Sequence, residues 1–329
     1  MNVNITEYTT ADLNGVIELN RSIISRWYHY FLKNGKIERG VHSEIEQLSD
    51  FELWYHGGPW NTPKMFHLYT KLVQKCNGKI FLAWDERHQL IGEVDCCLAN
   101  NYDKSGYILW ILTHPNYRRR GIGSQLIQKV KSFFYNQEIS QVVVIPQDTA
   151  SREFYQFCGF IPYKNRMEID LILKDVSSWS KVRKKYRITP VTTSNLNEIG
   201  YVDFYSLIGS TESNNYIQQT ALHRAEILEV LGKIADLSGF LPLLWKYERN
   251  GNIAIIGNVY QMRVWVNTSS LIDADFLNSI LEIIQSLHSN SNLSNPLGCS
   301  ILEDQLLFFN EDDFIIKKIE TVLKLSSMQ

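Results

Sequence analysis

The segment that most constrains the fold of this 329-residue chain is Tyr117-Arg118-Arg119-Arg120-Gly121-Ile122-Gly123-Ser124. It follows an apolar run, Tyr107 to Leu112, and opens an amphipathic run, Ile122 to Phe134. That order reads as strand, glycine loop, helix. Gly121 and Gly123 carry no Cβ, so the backbone there can come close to a ligand. A helix starting at this point presents unpaired N–H groups and the positive end of its dipole. With three arginines alongside, the loop is suited to cradling a pyrophosphate. It is not a P-loop, which ends in Gly-Lys-Ser/Thr. It is not a dinucleotide fingerprint either, which needs three glycines and an acidic residue about 20 positions on. Taken alone, a basic turn capping a helix is the competing reading.

The flanking residues add a second unit of the same kind. Upstream, Trp110-Ile111-Leu112-Thr113-His114-Pro115 is a strand stopped by proline. Downstream, Gln141 to Ile145 is a short β-branched run that reads as a buried strand. Asp148 to Phe160 then reads as a helix, with Asp148 as its N-cap and Gly159 at its end.

These two segments together resemble the GNAT superfamily of acyl-CoA-dependent N-acetyltransferases. The family's cradle pattern, Gln/Arg-x-x-Gly-x-Gly/Ala, is met by Arg118, Gly121 and Gly123. Its later Tyr-x-x-x-Gly-Phe pattern is met by Tyr155, Gly159 and Phe160. Asp148 stands where the family typically carries Asn. The resemblance covers about the first half of the chain and implies an α/β fold, a mixed and mostly antiparallel sheet flanked by helices. It further implies acetyl-CoA as cosubstrate, with no metal, held by Arg118, Arg119, Arg120, Gly121, Ile122, Gly123, Ser124 and Asp148. Backbone groups at Leu112 and Thr113 would hold the pantetheine arm, and Tyr155 would protonate the leaving thiolate. The implied reaction is direct acyl transfer from thioester to amine, governed largely by positioning.

The base is a separate question. Many family members place a carboxylate on the strand before the cradle, but Ile108 to Thr113 has none. Glu93 and Asp95 lie two apart on one strand, hence on one face. Glu93 is the candidate base, acting through water, and a solvent-facing carboxylate pair is the alternative. His114 precedes Pro115 and reads as a turn residue, and Cys158 as packing.

Composition narrows the setting. The net charge is −2, so neither nucleic acid nor a membrane surface is implied as a partner. No apolar run approaches the roughly 18 residues of a membrane-spanning helix. Met1 to Ile5 lacks the basic and apolar regions of a signal peptide. The 5 cysteines have no zinc-type spacing, and the neighbours Cys96 and Cys97 would face opposite sides of a strand. A cytoplasmic protein is expected.

The chain also repeats itself. Ile5 to Asn14 and Ile188 to Asn197 agree at six of ten positions. Leu90-Ile91-Gly92-Glu93-Val94 matches Ile255-Ile256-Gly257-Asn258-Val259, and Trp84 and Trp110 are echoed by Trp245 and Trp265. Two tandem copies of one fold are expected, a catalytic domain at 1–174 and a degenerate one at 186–329, joined by a polar linker from Lys174 to Lys185. From Val266 to Asp275 the second copy has no glycines or arginines and carries Asp273 and Asp275, which would repel a pyrophosphate. Its region Leu306 to Asp313 has no Tyr-x-x-x-Gly-Phe match, and Ser289 to Asn295 is a low-complexity loop. The second copy is expected to bind no CoA and to shape the substrate groove or a dimer or pseudo-dimer contact.

In the first copy, strands are expected at Asn4 to Tyr8, Ile80 to Asp85, Leu90 to Leu98, Gly106 to Thr113, Gln141 to Ile145 and Ile161 to Leu173. Helices are expected after a cap at Thr9 or Thr10, over Glu44 to Trp54 and over Pro63 to Lys75. The stretch from Trp27 to Tyr69 holds ten Trp, Tyr and Phe residues. Aromatics packing helices onto the sheet, or an aromatic wall for a cationic or apolar amine, both fit. The acceptor is expected to be an amine of a small molecule or a peptide. The alternative to an active enzyme is a non-catalytic acyl-CoA-binding sensor.

Overall fold

The computed structural model describes residues 3–33, 36–98, 105–171, 187–191, 205–208, 244–249, 252–257, 263–266, 297–303 and 314–326. In chain order the elements are β1 (Asn4–Glu7), α1 (Leu13–Arg21), β2 (Trp27–Lys33), β3 (Lys36–Ser43), α2 (Asp50–Gly57), α3 (Pro63–Lys75), β4 (Lys79–Trp84), β5 (Leu90–Leu98) and β6 (Ser105–Thr113). Next come α4 (Ile122–Asn136), β7 (Gln141–Val144), α5 (Thr149–Phe157), β8 (Ile161–Leu171), β9 (Arg187–Val191), β10 (Tyr205–Ile208), β11 (Leu244–Arg249), β12 (Asn252–Gly257), β13 (Arg263–Val266), β14 (Leu297–Leu302) and β15 (Phe314–Ser326).

The main sheet runs β1-β4-β5-β6-β7-β15-β8-β14. Every neighbouring pair is antiparallel except β6 and β7, which are parallel. Helices cover both faces, as expected for a mixed α/β fold. Side chains of β4 alternate between them. Phe81 and Ala83 pack with Ile122, Leu126, Val130 and Phe134 of α4. Ile80 and Leu82 pack with Val16 and Leu19 of α1 and with Phe66, Tyr69 and Val73 of α3. Both cysteines of the Cys96-Cys97 pair are buried.

The local signals act as read from the sequence at most helix ends. Thr9 and Asp12 form a capping box before α1. Thr62 caps α3 by accepting from the Met65 amide, and Pro63 takes the first turn, where no amide donor is needed. The helix expected from Glu44 instead begins at Asp50. Ser49 and Glu52 make a reciprocal capping box there, and Ile45–Gln47 is left as one 3-10 turn.

Two features depart from the expected map. The aromatic stretch after Trp27 is an antiparallel hairpin, β2 with β3. It packs on α2, with the Tyr30 ring 4.5 Å from that of Tyr55 and the Tyr30 amide donating to Glu52 at 3.0 Å. The main sheet also does not end near residue 174. β15, from the far end of the chain, lies between β7 and β8, and β14 pairs with the outer edge of β8. Val322, Leu323 and Leu325 of β15 are buried, and Leu323 and Leu325 pack with Tyr155 and Phe160.

The second sheet runs β10-β13-β12-β11-β9, antiparallel throughout. Read from β9, its order β9-β11-β12-β13 parallels β1-β4-β5-β6 of the main sheet. The expected linker at 174–185, the acidic segment at 267–275, the loop at 289–295 and the region 306–313 lie outside the described residues. Among the described residues, no helix is long and apolar enough to cross a membrane.

Candidate active site

A wedge in the sheet sets the site. β6 pairs with β7 only through Ser105, Gly106 and Tyr107, and the rest of β6 runs on to Thr113 without β7 beside it. The backbone there alternates direction. Leu112 is opposite Glu93, and the His114 amide donates to the Ile91 carbonyl at 2.9 Å. Leu112 and His114 therefore turn their backbone groups toward β5, while Ile111 and Thr113 turn theirs into the wedge. Of the two residues expected to hold a pantetheine arm through the backbone, Thr113 turns its backbone groups into the wedge and Leu112 turns its toward β5. The Thr113 carbonyl accepts from Arg118 Nε at 3.4 Å. His114 is a turn residue, its Nδ1 accepting from the Asn116 amide.

The wedge leads directly to the start of α4. Gly121 is the N-cap, with φ of 78°, a left-handed conformation that favours glycine. A Cβ built there would meet nothing within 4 Å, so the space over the loop is open. The helical ladder begins with the Gln125 amide on the Gly121 carbonyl. The amides of Ile122, Gly123 and Ser124 precede that first bond and have no partner within the helix. Arg118, Arg119 and Arg120 are exposed beside them, with the Arg120 guanidinium 5.3 Å from the centre of the Tyr117 ring. The Ile122 side chain is buried in the core, so only its amide faces the loop's ligand side. A Cβ on Gly123 would sit 3.0 Å from the Phe154 ring, so this glycine also sets how closely α5 packs on α4.

Asp148 is the N-cap of α5. Its Oδ1 accepts from the Ser151 amide at 2.7 Å, and these bonds to Ser151 hold its carboxyl below the ordinary range. The side chain is committed to the cap. The helix ends at Gly159, with φ of 93°, where the Phe160 amide bonds to the Tyr155 carbonyl and the Gly159 amide to that of Gln156. Tyr155 is buried between Phe154 and Phe160, ring centres 5.2 and 5.4 Å away. Burial pushes its phenol pKa up, so the hydroxyl keeps its proton at neutral pH. Cys158 packs as expected, its thiol 3.8 Å from Ser124 Oγ.

On the opposite face of the sheet lies a buried polar nest. Glu93 and Asp95 of β5 are both 0% exposed, so the solvent-facing reading of this pair fails. Glu93 Oε2 accepts from Asn20 Nδ2 at 2.6 Å. Asp95 Oδ2 accepts from Trp60 Nε1 at 2.9 Å and from Tyr69 Oη at 2.7 Å. Glu93 Oε1 and Asp95 Oδ1 have no partner outside the pair. Burial, then the neighbouring Asp95 charge, lifts Glu93 well above the carboxylate range, and burial lifts Asp95 to about 6. Asn20 Oδ1 accepts from Trp110 Nε1 at 3.0 Å, and the Trp110 and Trp60 indoles stack with centres 4.6 Å apart. Asn20, Trp60, Tyr69 and Trp110 thus tie α1, α3 and two strands around the carboxyl pair. Asn20 was not singled out in the sequence. Its signal was an amide four residues after Val16, on the apolar face of α1.

This geometry agrees with what the comparisons find. Residues 45–160 match the model of the Acetyltransferase (GNAT) family. That stretch, which holds the cradle and both carboxyls, is thus similar to a GNAT acetyltransferase domain. Several solved structures align over nearly the whole chain, among them the following three. A conserved protein of unknown function from Enterococcus faecalis V583, a probable N-acyltransferase, aligns over 99% of this chain and 72% of its own, with 11% identity and a TM-score of 0.58. A GCN5-related N-acetyltransferase from Anabaena variabilis ATCC 29413 aligns over 98% of this chain and 72% of its own, with 11% identity and a TM-score of 0.57. A tandem GNAT protein from the clavulanic acid biosynthesis pathway aligns over 99% of this chain and 98% of its own, with 9% identity and a TM-score of 0.51. At such identities the likeness is one of fold. A search of curated proteins found no match.

Proposed function

We propose that this protein is an N-acetyltransferase that moves an acetyl group from acetyl-CoA directly to a primary amine at the wedge of the main sheet. The observation that carries this reading is the parting of β6 from β7 immediately before a glycine-started helix. An extended, amide-rich chain can lie along the open edge of β6, using Thr113 and Ile111 backbone groups, and end in phosphates at the helix start. The amides of Ile122, Gly123 and Ser124 would receive the pyrophosphate, with Arg118, Arg119 and Arg120 as counter-charge. The open space over Gly121 fits that group. Acetyl-CoA supplies an activated thioester.

The chain's own residues would then position the amine and move protons. Tyr155 keeps its proton and would give it to the departing sulfur. The Glu93–Asp95 pair would take a proton from the amine through water. The burial of both carboxyls is the observation that favours the second reading, a sensor that binds acyl-CoA without modifying an acceptor.

The repeated strand order supports a tandem arrangement in which β9 to β13 belong to a second, degenerate copy, while β14 and β15 complete the main sheet. That copy would contribute to the acceptor groove or to a dimer contact, in a cytoplasmic protein without nucleic-acid or membrane partners. Thermal unfolding with and without acetyl-CoA, followed by thiol release against an amine library, tests the function. A raised midpoint with thiol release for one amine class is expected. A shift without release favours the sensor, and no shift at saturating acetyl-CoA refutes both readings.

A further inference from the structure

We infer that Asp95, and not Glu93, carries the negative charge of the site, and that the acceptor docks as a cationic ammonium at the Trp60–Trp110 indole pair, on a body without a carboxylate. The inference rests on the acetyltransferase reading and names the substrate class of that same site.

The hydrogen-bond donors assign the charge. The Asn20 amide cannot be turned around, because its oxygen accepts from Trp110 Nε1 while its nitrogen donates to the Val16 carbonyl at 3.0 Å and to Glu93 Oε2. Glu93 Oε2 is therefore an acceptor, and any proton on Glu93 sits on Oε1. Asp95 Oδ2 receives two donors, Trp60 and Tyr69. Two buried carboxyls this close cannot both ionise. The single proton belongs on Glu93 Oε1, donated to Asp95 Oδ1, because Asp95 then accepts three hydrogen bonds and Glu93 only one. These two oxygens are the ones with no other partner.

The resulting charge has no cationic partner among the described residues. Arg21, beside Asn20 on α1, donates to the Asn61 carbonyl at 2.7 Å, and the acidic groups that act on it are Glu46 and Glu18. The wall over the pair has also spent its donors. Trp60 Nε1 and Tyr69 Oη go to Asp95, and Trp110 Nε1 goes to Asn20. Trp60 and Trp110 are partly buried and stack on each other, with Tyr69 T-shaped against Trp60, so a ligand meets only the part of the indole pair that these contacts leave exposed. The exposed π surface of the indole pair, backed by an uncompensated anion, attracts an ammonium group and offers a carboxylate repulsion with no donor in return.

The test uses the full chain saturated with CoA, which has no acetyl group to transfer. Calorimetry would measure binding of 2-phenylethylammonium, its neutral analogue 2-phenylethanol, and phenylalanine, which adds a carboxylate. The ammonium should bind roughly tenfold or more tightly than either analogue. Asp95→Asn should erase that preference, while Glu93→Gln, which replaces one neutral group by another, should keep most of it. Equal binding of the three probes by the wild type overturns the inference without needing any variant, as does failure of all three to bind. Loss of the preference in Glu93→Gln but not in Asp95→Asn overturns the charge assignment. The CoA-induced rise in Tm is recorded in each sample. If it is absent in the wild type the acetyltransferase reading fails, and if it is present without ammonium preference only this inference fails.

Discussion

Ending the chain at residue 312 removes β15 and should unfold the half of the protein that carries the site. β15 fills the gap between β7 and β8, which do not pair with each other. It places Val322 and Leu323 at 0% and Leu325 at 6% exposure. Burying a side chain of this size contributes about 1.5–3 kcal/mol, so the three together contribute about 5–9 kcal/mol, an upper bound because unfolded chains already bury some apolar surface. A whole domain is stable by about 5–15 kcal/mol, so the loss is comparable to the total. The damage falls on the site, because Leu325 lies 3.5 Å from where a Cβ on Gly159 would be and packs in the same core as Tyr155. Leu323→Ala is the milder form and should cost about 2–5 kcal/mol. Ile315→Ser, at a side chain 52% exposed on the same strand, should change stability by only about 0.5 kcal/mol. Thermal unfolding and the acetyl-CoA shift would be measured for all three. If residues 1–312 unfold cooperatively at the full-length temperature and keep the acetyl-CoA shift, β15 is not part of the acetyltransferase core.

The other expectations concern the cradle, the acid and the buried pair. Gly121→Asp puts a carboxylate beside the free amides of α4 in a left-handed conformation, and Gly123→Asp puts one against Phe154. Each should abolish the acetyl-CoA shift while a cooperative transition persists in scanning calorimetry, and normal binding in either would misplace the pyrophosphate. Tyr155→Phe should keep acetyl-CoA binding and lower kcat by roughly 10²–10⁴, read by thiol release, and an unchanged kcat would remove Tyr155 as the acid. The Asp95 carboxyl, near 3.8 when unfolded and about 6 when folded, holds a proton in the folded state that the unfolded chain has released. Its contribution to stability is full below about pH 4 and is lost as pH rises through about 6, a change on the order of 3 kcal/mol. Urea unfolding between pH 4 and 7.5 should show a larger loss in the wild type than in Asp95→Asn, where the raised Glu93 carboxyl still acts in the same direction, and parallel pH curves would mean that Asp95 is not perturbed.

What could be read from the sequence was whatever nearby residues determine. Ser49 with Glu52, Thr62 with Pro63, Asp148 with Ser151 and Gly159 each fix a helix end within a few positions. The cradle could be read for the same reason, since loop, helix start and glycines are contiguous. The β2–β3 hairpin had a local signal as well. Asn34-Gly35 stands between two stretches that hold aromatic and β-branched residues, the strongest short-range mark of a hairpin. Tertiary pairing was not legible. Nothing near residue 314 says that it will lie beside residue 171, and nothing near Asn20 says that Glu93 will lie across from it. The carboxyl pair shows the consequence for chemistry. Spacing puts Glu93 and Asp95 on one face but holds nothing that separates their charges, and the choice of Glu93 as base has no local support. Only the donors that converge from Asn20, Trp60 and Tyr69 make them unequal, and those donors come from segments 26 to 73 positions away in sequence.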